Sequence, residues 1–211
     1  MKDPIATQAY LSAEEMRKIN DLLPADYLLV LSPHEELWNQ VKAIKEKFAT
    51  DYNCGTARSG LPHITLATFR QQQVFETRIT QRLRNIARNL SAFKVELKDF
   101  GSFPSHTIYI NIVSKVQIMD AVKALRAPQK LMKPDNDHKP YFSTEPHLTI
   151  ARKLQPWQYE KGWLEYEHQH FHGRFIADHT LLLKRRAGET FKVVEKFMFE
   201  GTRAAAQASL F

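Results

Sequence analysis

Two short stretches carry the residues best suited to chemistry: "LPHITLATF" at Leu61–Phe69 and "EPHLTIARK" at Glu145–Lys153. Both read Pro-His-apolar-Thr-apolar-Ala. In an extended strand successive side chains alternate between faces, so His63 and Thr65 project together while Ile64 and Leu66 point the other way. His147 and Thr149 stand in the same relation to Leu148 and Ile150. Two imidazoles that titrate near neutrality can divide proton transfer, one accepting from an attacking oxygen and one donating to a leaving oxygen. Two hydroxyls can donate to the non-bridging oxygens of a phosphodiester and hold its phosphorus in line. Neither motif contains a carboxylate, so the pattern does not suggest a two-metal site. Either stretch alone would pass for an ordinary buried strand. The return of the same polar residues at the same spacing is what points to a site.

The surrounding elements repeat as well. "DYLLVLSP" reads as a buried strand ended by Pro33, and "EELWNQVKAIKEKFA" as a helix with Leu37, Val41, Ile44 and Phe48 inward. The loop "CGTARSG" leads to the first motif strand, and "QVFETRITQRLRNIARNL" to a basic amphipathic helix. "AFKVELKDFGSF" and "HTIYINIV" form a hairpin about "PS". The second half follows the same order: a helix over "VQIMDAVKALRAPQKLM", the loop "KPDNDHKPYFSTE", the second motif strand, a helix at "PWQYEKGWLEYE", then the strands "GRFIADHTLLLKR" and "FKVVEKFMFE". Strand-helix-strand occurs once around each motif, and two similar lobes facing each other across a groove are the economical arrangement. The boundaries are residues 1–25 for an N-terminal helical extension, 26–200 for the bilobal domain and 201–211 for a C-terminal tail. In the extension, Ser12 and Glu15 have capping-box spacing, and Leu11, Met16, Ile19, Leu22 and Leu23 share a face.

Composition narrows the class without naming it. At 211 residues with 43% hydrophobic and 25% charged residues, the chain is globular. It has no bilayer-length apolar run and no signal-peptide pattern. Its single Cys54 rules out an internal disulfide and a multi-cysteine zinc site, and a cytoplasmic location is expected. Thirty Lys and Arg against 23 Asp and Glu, a formal charge of +7, favour anionic partners such as nucleotides or RNA.

The paired motifs "HITL" and "HLTI" resemble the His-x-Thr-x signature of the two-histidine (2H) phosphoesterase superfamily, most closely its bacterial 2′,5′ RNA ligase or RNA cyclic phosphodiesterase branch. The resemblance runs from about Asp26 to Glu200 and implies an α+β fold, a bilobal pseudo-two-fold arrangement of two βαβ-type lobes with mainly antiparallel sheets around a central groove. It implies that His63 and His147 are the general acid/base pair and that Thr65 and Thr149 bind phosphate. It also implies opening of a 2′,3′-cyclic phosphate or reversible 2′,5′ joining of RNA ends, with no cofactor or metal. Arg152, three residues after Thr149, is a further phosphate candidate, although a straight strand would turn it away from His147. The first motif has Phe69 and Arg70 near the equivalent place, which suggests an asymmetric groove.

Tyr141, Phe142, Tyr109 and Phe103 are candidate nucleobase platforms, weighed against the general tendency of aromatics to enter the core. His168, His170 and His172 alternate but lack an acid or thiol to complete a metal set, so an exposed strand edge is expected. Asp135–His138 reads as a solvated turn, and Arg78, Arg82, Arg84 and Arg88 as a solvated basic face. The leading expectation is a metal-independent phosphodiesterase of RNA ends or cyclic nucleotides, monomeric, with no DNA specificity and no membrane partner. The alternatives are a non-catalytic nucleotide-binding module of the same fold and an RNA-binding scaffold that uses the basic surface.

Overall fold

A computed structural model describes residues 12–201. Alternating apolar residues form nine strands: β1 (Pro24–Leu31), β2 (Ile64–Gln72), β3 (Phe93–Phe103), β4 (Thr107–Ile112), β5 (Tyr141–Phe142), β6 (Leu148–Arg152), β7 (His172–Ala177), β8 (His179–Arg185) and β9 (Lys192–Met198). The helices are α1 (Ala13–Leu22), α2 (Glu35–Asp51), the short α3 (Gly55–Arg58), α4 (Glu76–Ala87), α5 (Lys115–Leu125) and α6 (Pro156–Tyr166). All strand pairs are antiparallel, in the order β7-β3-β4-β6-β2-β1-β8-β9, with β5 added beside β2.

This order is a palindrome in structural terms. The half β6-β4-β3-β7 mirrors the half β2-β1-β8-β9 about the junction of the two motif strands. The expected lobes are therefore present, but they share one sheet. Their junction is a single backbone pair, Ile64 with Leu148. The stretch "GRFIADHTLLLKR" splits at Asp178: β7 lies at one border of the sheet and β8 belongs to the other half. One intervening residue spans at most about 7 Å, so the twisted sheet brings these ends together. There the Asp178 carbonyl accepts from the Phe199 N–H at 2.8 Å, and the rings of Phe93 and Phe199 stack at 6.1 Å.

The crossover helices are exchanged between halves. Helix α2 connects β1 to β2 yet packs against β6 and β7, where Phe48 meets Tyr166 at 5.4 Å. Helix α5 connects β4 to β6 yet packs against β2 and α4, and buried Gln71 of β2 donates its Nε2 proton to the Leu131 carbonyl just beyond it at 2.9 Å. Gln158 in the first turn of α6 donates to the Tyr52 and Asn53 carbonyls at the end of α2, both at 3.0 Å. Leu37, Val41 and Phe48 are buried as expected, together with Lys45, whose lysine type conceals its place in the core.

The Ser12–Glu15 capping box forms: the Glu15 carboxylate accepts from the Ser12 N–H at 2.9 Å, and the Glu15 N–H donates to Ser12 Oγ at 3.2 Å. The shared apolar face of α1 is open, with Met16, Ile19, Leu22 and Leu23 all at least 45% exposed. Leu11 and the expected tail, apart from Gly201, lie outside the described residues. No helix among the described residues is long and apolar enough to cross a membrane.

A methyl at Gly162 of α6 would lie 2.8 Å from the Phe48 ring and 3.3 Å from Ile108. Gly162→Ala is therefore expected to destabilise the fold by about 1–3 kcal/mol through overpacking. Chemical denaturation reads this directly, and unchanged stability would contradict the close packing of α2 on α6.

Candidate active site

The Ile64–Leu148 pairing places the motif residues on one surface. Ile64 and Leu148 are fully buried on the core face, which the helices cover. In an antiparallel ladder through this pair, His63 faces Thr149 and Thr65 faces His147 across the strands. The two imidazoles are then diagonal neighbours, which a regular ladder sets at about 7–8 Å. The four side chains form a quartet on the open face of the sheet, with both histidines half-buried.

The repeated proline has a clear local effect. It fixes its own φ and keeps the preceding residue extended, and in both motifs the carbonyl two residues before histidine meets the ring. His63 Nδ1 lies 2.6 Å from the Leu61 carbonyl, and His147 Nδ1 lies 2.8 Å from that of Glu145. A carbonyl can only accept, so each Nδ1 carries the proton. Each Nε2 is left as the working atom, a base when neutral and an acid when charged.

Both motif strands bulge at the same place. Against β1, Thr65 pairs with Val30 and Ala67 with Leu29, which leaves Leu66 as the extra residue. Against β4, Thr149 pairs with Tyr109 and Ala151 with Ile108, which leaves Ile150. A one-residue bulge shifts the facing of everything beyond it. Arg152 pairs with Thr107 and so returns to the face of Tyr109, Thr149 and His147. The condition of a straight strand fails, and Arg152 joins the quartet's side. Its register equivalent in the first half is Thr68, neither Phe69 nor Arg70. Phe69 is buried, stacked on Tyr27 at 4.9 Å.

Lys45 closes the second bulge from beneath. Its side chain is 5% exposed, and its Nζ donates to the Thr149 and Ile150 carbonyls at 3.2 and 3.1 Å. Burial first, and then the Arg152 charge, bring its pKa down to about 8. Nothing in the sequence marks Lys45 except its place one residue after Ile44 on the inward side of the α2 period.

The two histidines sit in different fields. Burial is the main cause lowering the His63 pKa; its carbonyl partner opposes, while Lys45, Arg152 and His147 add to the lowering. Burial also leads for His147, but there the carbonyl and the Glu145 carboxylate oppose, with Lys115 acting to lower. The His147 ring is wedged between Phe103 and Tyr109, both at 4.9 Å. Gly101 makes room for this cluster, because a Cβ there would meet the Tyr109 ring at 2.7 Å.

The other candidates are placed as follows. Tyr109 is buried against His147, so its ring orients the imidazole. Phe142 is 6% exposed, inside the core beneath Arg126. Tyr141 pairs with Thr68 on the open face and is 54% exposed. Of the three alternating histidines only His172 lies in a strand, because β7 begins there; His170 sits 3.3 Å from Asp99 and His168 is exposed. No cluster of three or more His, Cys, Asp or Glu among the described residues is arranged to hold a metal. Asp135 forms the expected turn, accepting from the Asp137 and His138 N–H groups at 2.8 Å. Of the helix arginines, Arg78, Arg82 and Arg88 are exposed and Arg84 pairs with Glu195 at 2.6 Å.

Known proteins resemble this chain in sequence and in fold. Residues 33–189 match the family model described as the 2'-5' RNA ligase superfamily. A Geobacillus thermodenitrificans protein assigned as a phosphoesterase is 26% identical over 178 residues, covering 83% of this chain and 96% of that protein. Among solved structures, TT0787 of Thermus thermophilus superposes with a TM-score of 0.59 at 17% identity, over 83% of this chain and 98% of its own. E. coli LigT with 3'-AMP gives 0.57 at 12% identity, with the same coverage.

Lys45→Met removes a buried donor from two carbonyls and a positive charge from beside His63. It is expected to cost about 1–3 kcal/mol of stability and to raise the His63 pKa in an NMR titration. A titration curve identical to the wild type's would refute the electrostatic link.

Proposed function

The chain belongs to the 2'-5' RNA ligase superfamily, and on that premise we propose that it is a phosphodiesterase of 2′,3′-cyclic phosphate RNA ends or cyclic nucleotides. The observation that carries this reading is the matched pair of anchored imidazoles, each with Nδ1 bound to a carbonyl and Nε2 available on the same face. In the hydrolytic direction one Nε2 removes a proton from water as its oxygen bonds to phosphorus. The bond from phosphorus to one ribose oxygen breaks, and the other Nε2 gives that oxygen its proton. The products are a phosphomonoester and a free hydroxyl, with the two histidines' protonation states exchanged. Thr65 and Thr149 donate to the non-bridging oxygens, and Arg152 offsets their charge. Tyr141, exposed on the same face, is the platform for the base. The 3'-AMP complex of E. coli LigT supports a nucleotide ligand for a fold of this kind.

The proton transfers use side chains alone, so EDTA should leave the rate on a 2′,3′-cyclic nucleotide unchanged. His63→Ala and His147→Ala should each lower kcat by at least about 100-fold. Full turnover in either variant, or binding without turnover across a substrate panel, would overturn the assignment.

The pH profile tests the electrostatics. The base must be neutral, so activity rises as pH passes its pKa; the acid must be protonated, so activity falls as pH passes the other. Both histidines are lowered from 6.5. The bell in kcat/KM, which reports the free enzyme, should therefore have both limbs on the acid side of that value. A profile centred well above it would contradict the burial of the two rings.

A further inference from the structure

The pseudo-two-fold also breaks in the length of the two motif strands. Strand β2 runs nine residues and β6 only five, so the first half extends beyond the quartet where the second half stops. Past the Leu66 bulge, β2 presents Thr68 and Arg70 opposite Leu28 and Asp26 of β1. These residues share the motif face, because Tyr27 between them turns inward onto Phe69. Tyr141 lies beside Thr68.

Arg70 is exposed and forms no ion pair among the described residues. The neighbouring Asp26 is taken by Arg185, whose Nη2 lies 3.0 Å from its carboxylate. Arg70 also lines a cavity of about 350 Å³ with Leu23, Pro24, Arg186, Ala187 and Glu189. Arg186 is held by Glu189 at 3.1 Å, so the uncompensated charge at this cavity belongs to Arg70. The register equivalent of Arg70 in the second half is Leu154, which is buried. The open face thus carries a cation arm on one side only.

Resting on the phosphodiesterase reading above, we propose that this arm is a subsite for the phosphodiester one nucleotide upstream of the reacting phosphate, which makes the substrate the 3′ end of single-stranded RNA. The terminal base lies on Tyr141, and its 5′-phosphate reaches Arg70. Thr65 and Arg70 lie opposite Val30 and Asp26, four residues apart on β1 and so about 14 Å from one another. Reaching back along the face, the long Arg70 side chain brings its guanidinium to within about one nucleotide of the quartet. A free cyclic mononucleotide fills the quartet but leaves Arg70 unused.

Binding tests the subsite without requiring turnover. A fluorescent RNA trinucleotide ending in a 3′-phosphate is compared with the 3′-mononucleotide across a salt series. The trinucleotide should bind about tenfold more tightly, the worth of one charge-assisted phosphate contact. Arg70→Ala should remove most of that advantage and reduce the salt slope of trinucleotide binding by about 0.7. Equal affinity of the two ligands, or an advantage that survives Arg70→Ala, overturns the proposal. The same pair of ligands as 2′,3′-cyclic phosphates should show a matching advantage in kcat/KM that Arg70→Ala abolishes. Loss of turnover on both with the binding advantage intact would remove the phosphodiesterase reading and leave the subsite standing. Turnover with no trinucleotide advantage would do the reverse.

Discussion

The two half-sheets meet through one backbone pair, Ile64 with Leu148, and the juxtaposition of the two motifs follows from it. A register slip of one residue on either strand would send that strand's histidine and threonine into the core and its isoleucine or leucine onto the open face. Burying a polar pair in this way is costly, so the hydrophobic core itself enforces the register. A single pair is too little to hold two lobes in place. The exchanged helices supply the rest, since α2 and α5 each originate in one half and pack on the other. The spacing of the two motif strands is thus set by the core, while the Leu61 and Glu145 carbonyls just before the strands orient the rings.

The matched bulges turn this symmetric frame into an asymmetric site. In both halves the chain inserts one residue after the motif threonine and re-aims whatever follows. In the second half the inserted residue is Ile150 and the one re-aimed onto the motif face is Arg152; in the first they are Leu66 and Thr68. The bulge carbonyls at Thr149 and Ile150 meet the ammonium of Lys45, which comes from the other half's helix. A backbone irregularity, a buried lysine and an exposed arginine therefore form one unit at the His63 end of the quartet.

Two matched motifs consequently experience different electrostatics. The cations around His63 favour its neutral form, while Glu145 beside His147 works in the opposite sense. The aromatic packing is one-sided too: Phe103 and Tyr109 brace His147, whereas the partner of Thr65 on β1 is the aliphatic Val30. The repeated motif gives the site its pair of imidazoles. The differing surroundings of the two repeats make them distinguishable.

The repeated Pro-His-apolar-Thr pattern, read with strand parity, predicts two matched halves and singles out His63, Thr65, His147 and Thr149 as the candidates. Local periodicity encodes these things, and they survive wherever the strand is extended. The capping box of α1 and the inward face of α2 were legible for the same reason. What the tertiary structure alone decided was non-local. Bulges arise from pairing between strands, so the return of Arg152 to the motif face could not be read from its own segment. Lys45 is buried because a helix crosses to the far half, and lysine at a core-facing position gives no hint of two waiting carbonyls. Tyr141 and Phe142 are adjacent in the chain, yet pairing with Thr68 and Ala67 sends one to the open face and the other into the core. Sequence specifies which side chains alternate; only the partners across the sheet decide which face each alternation serves.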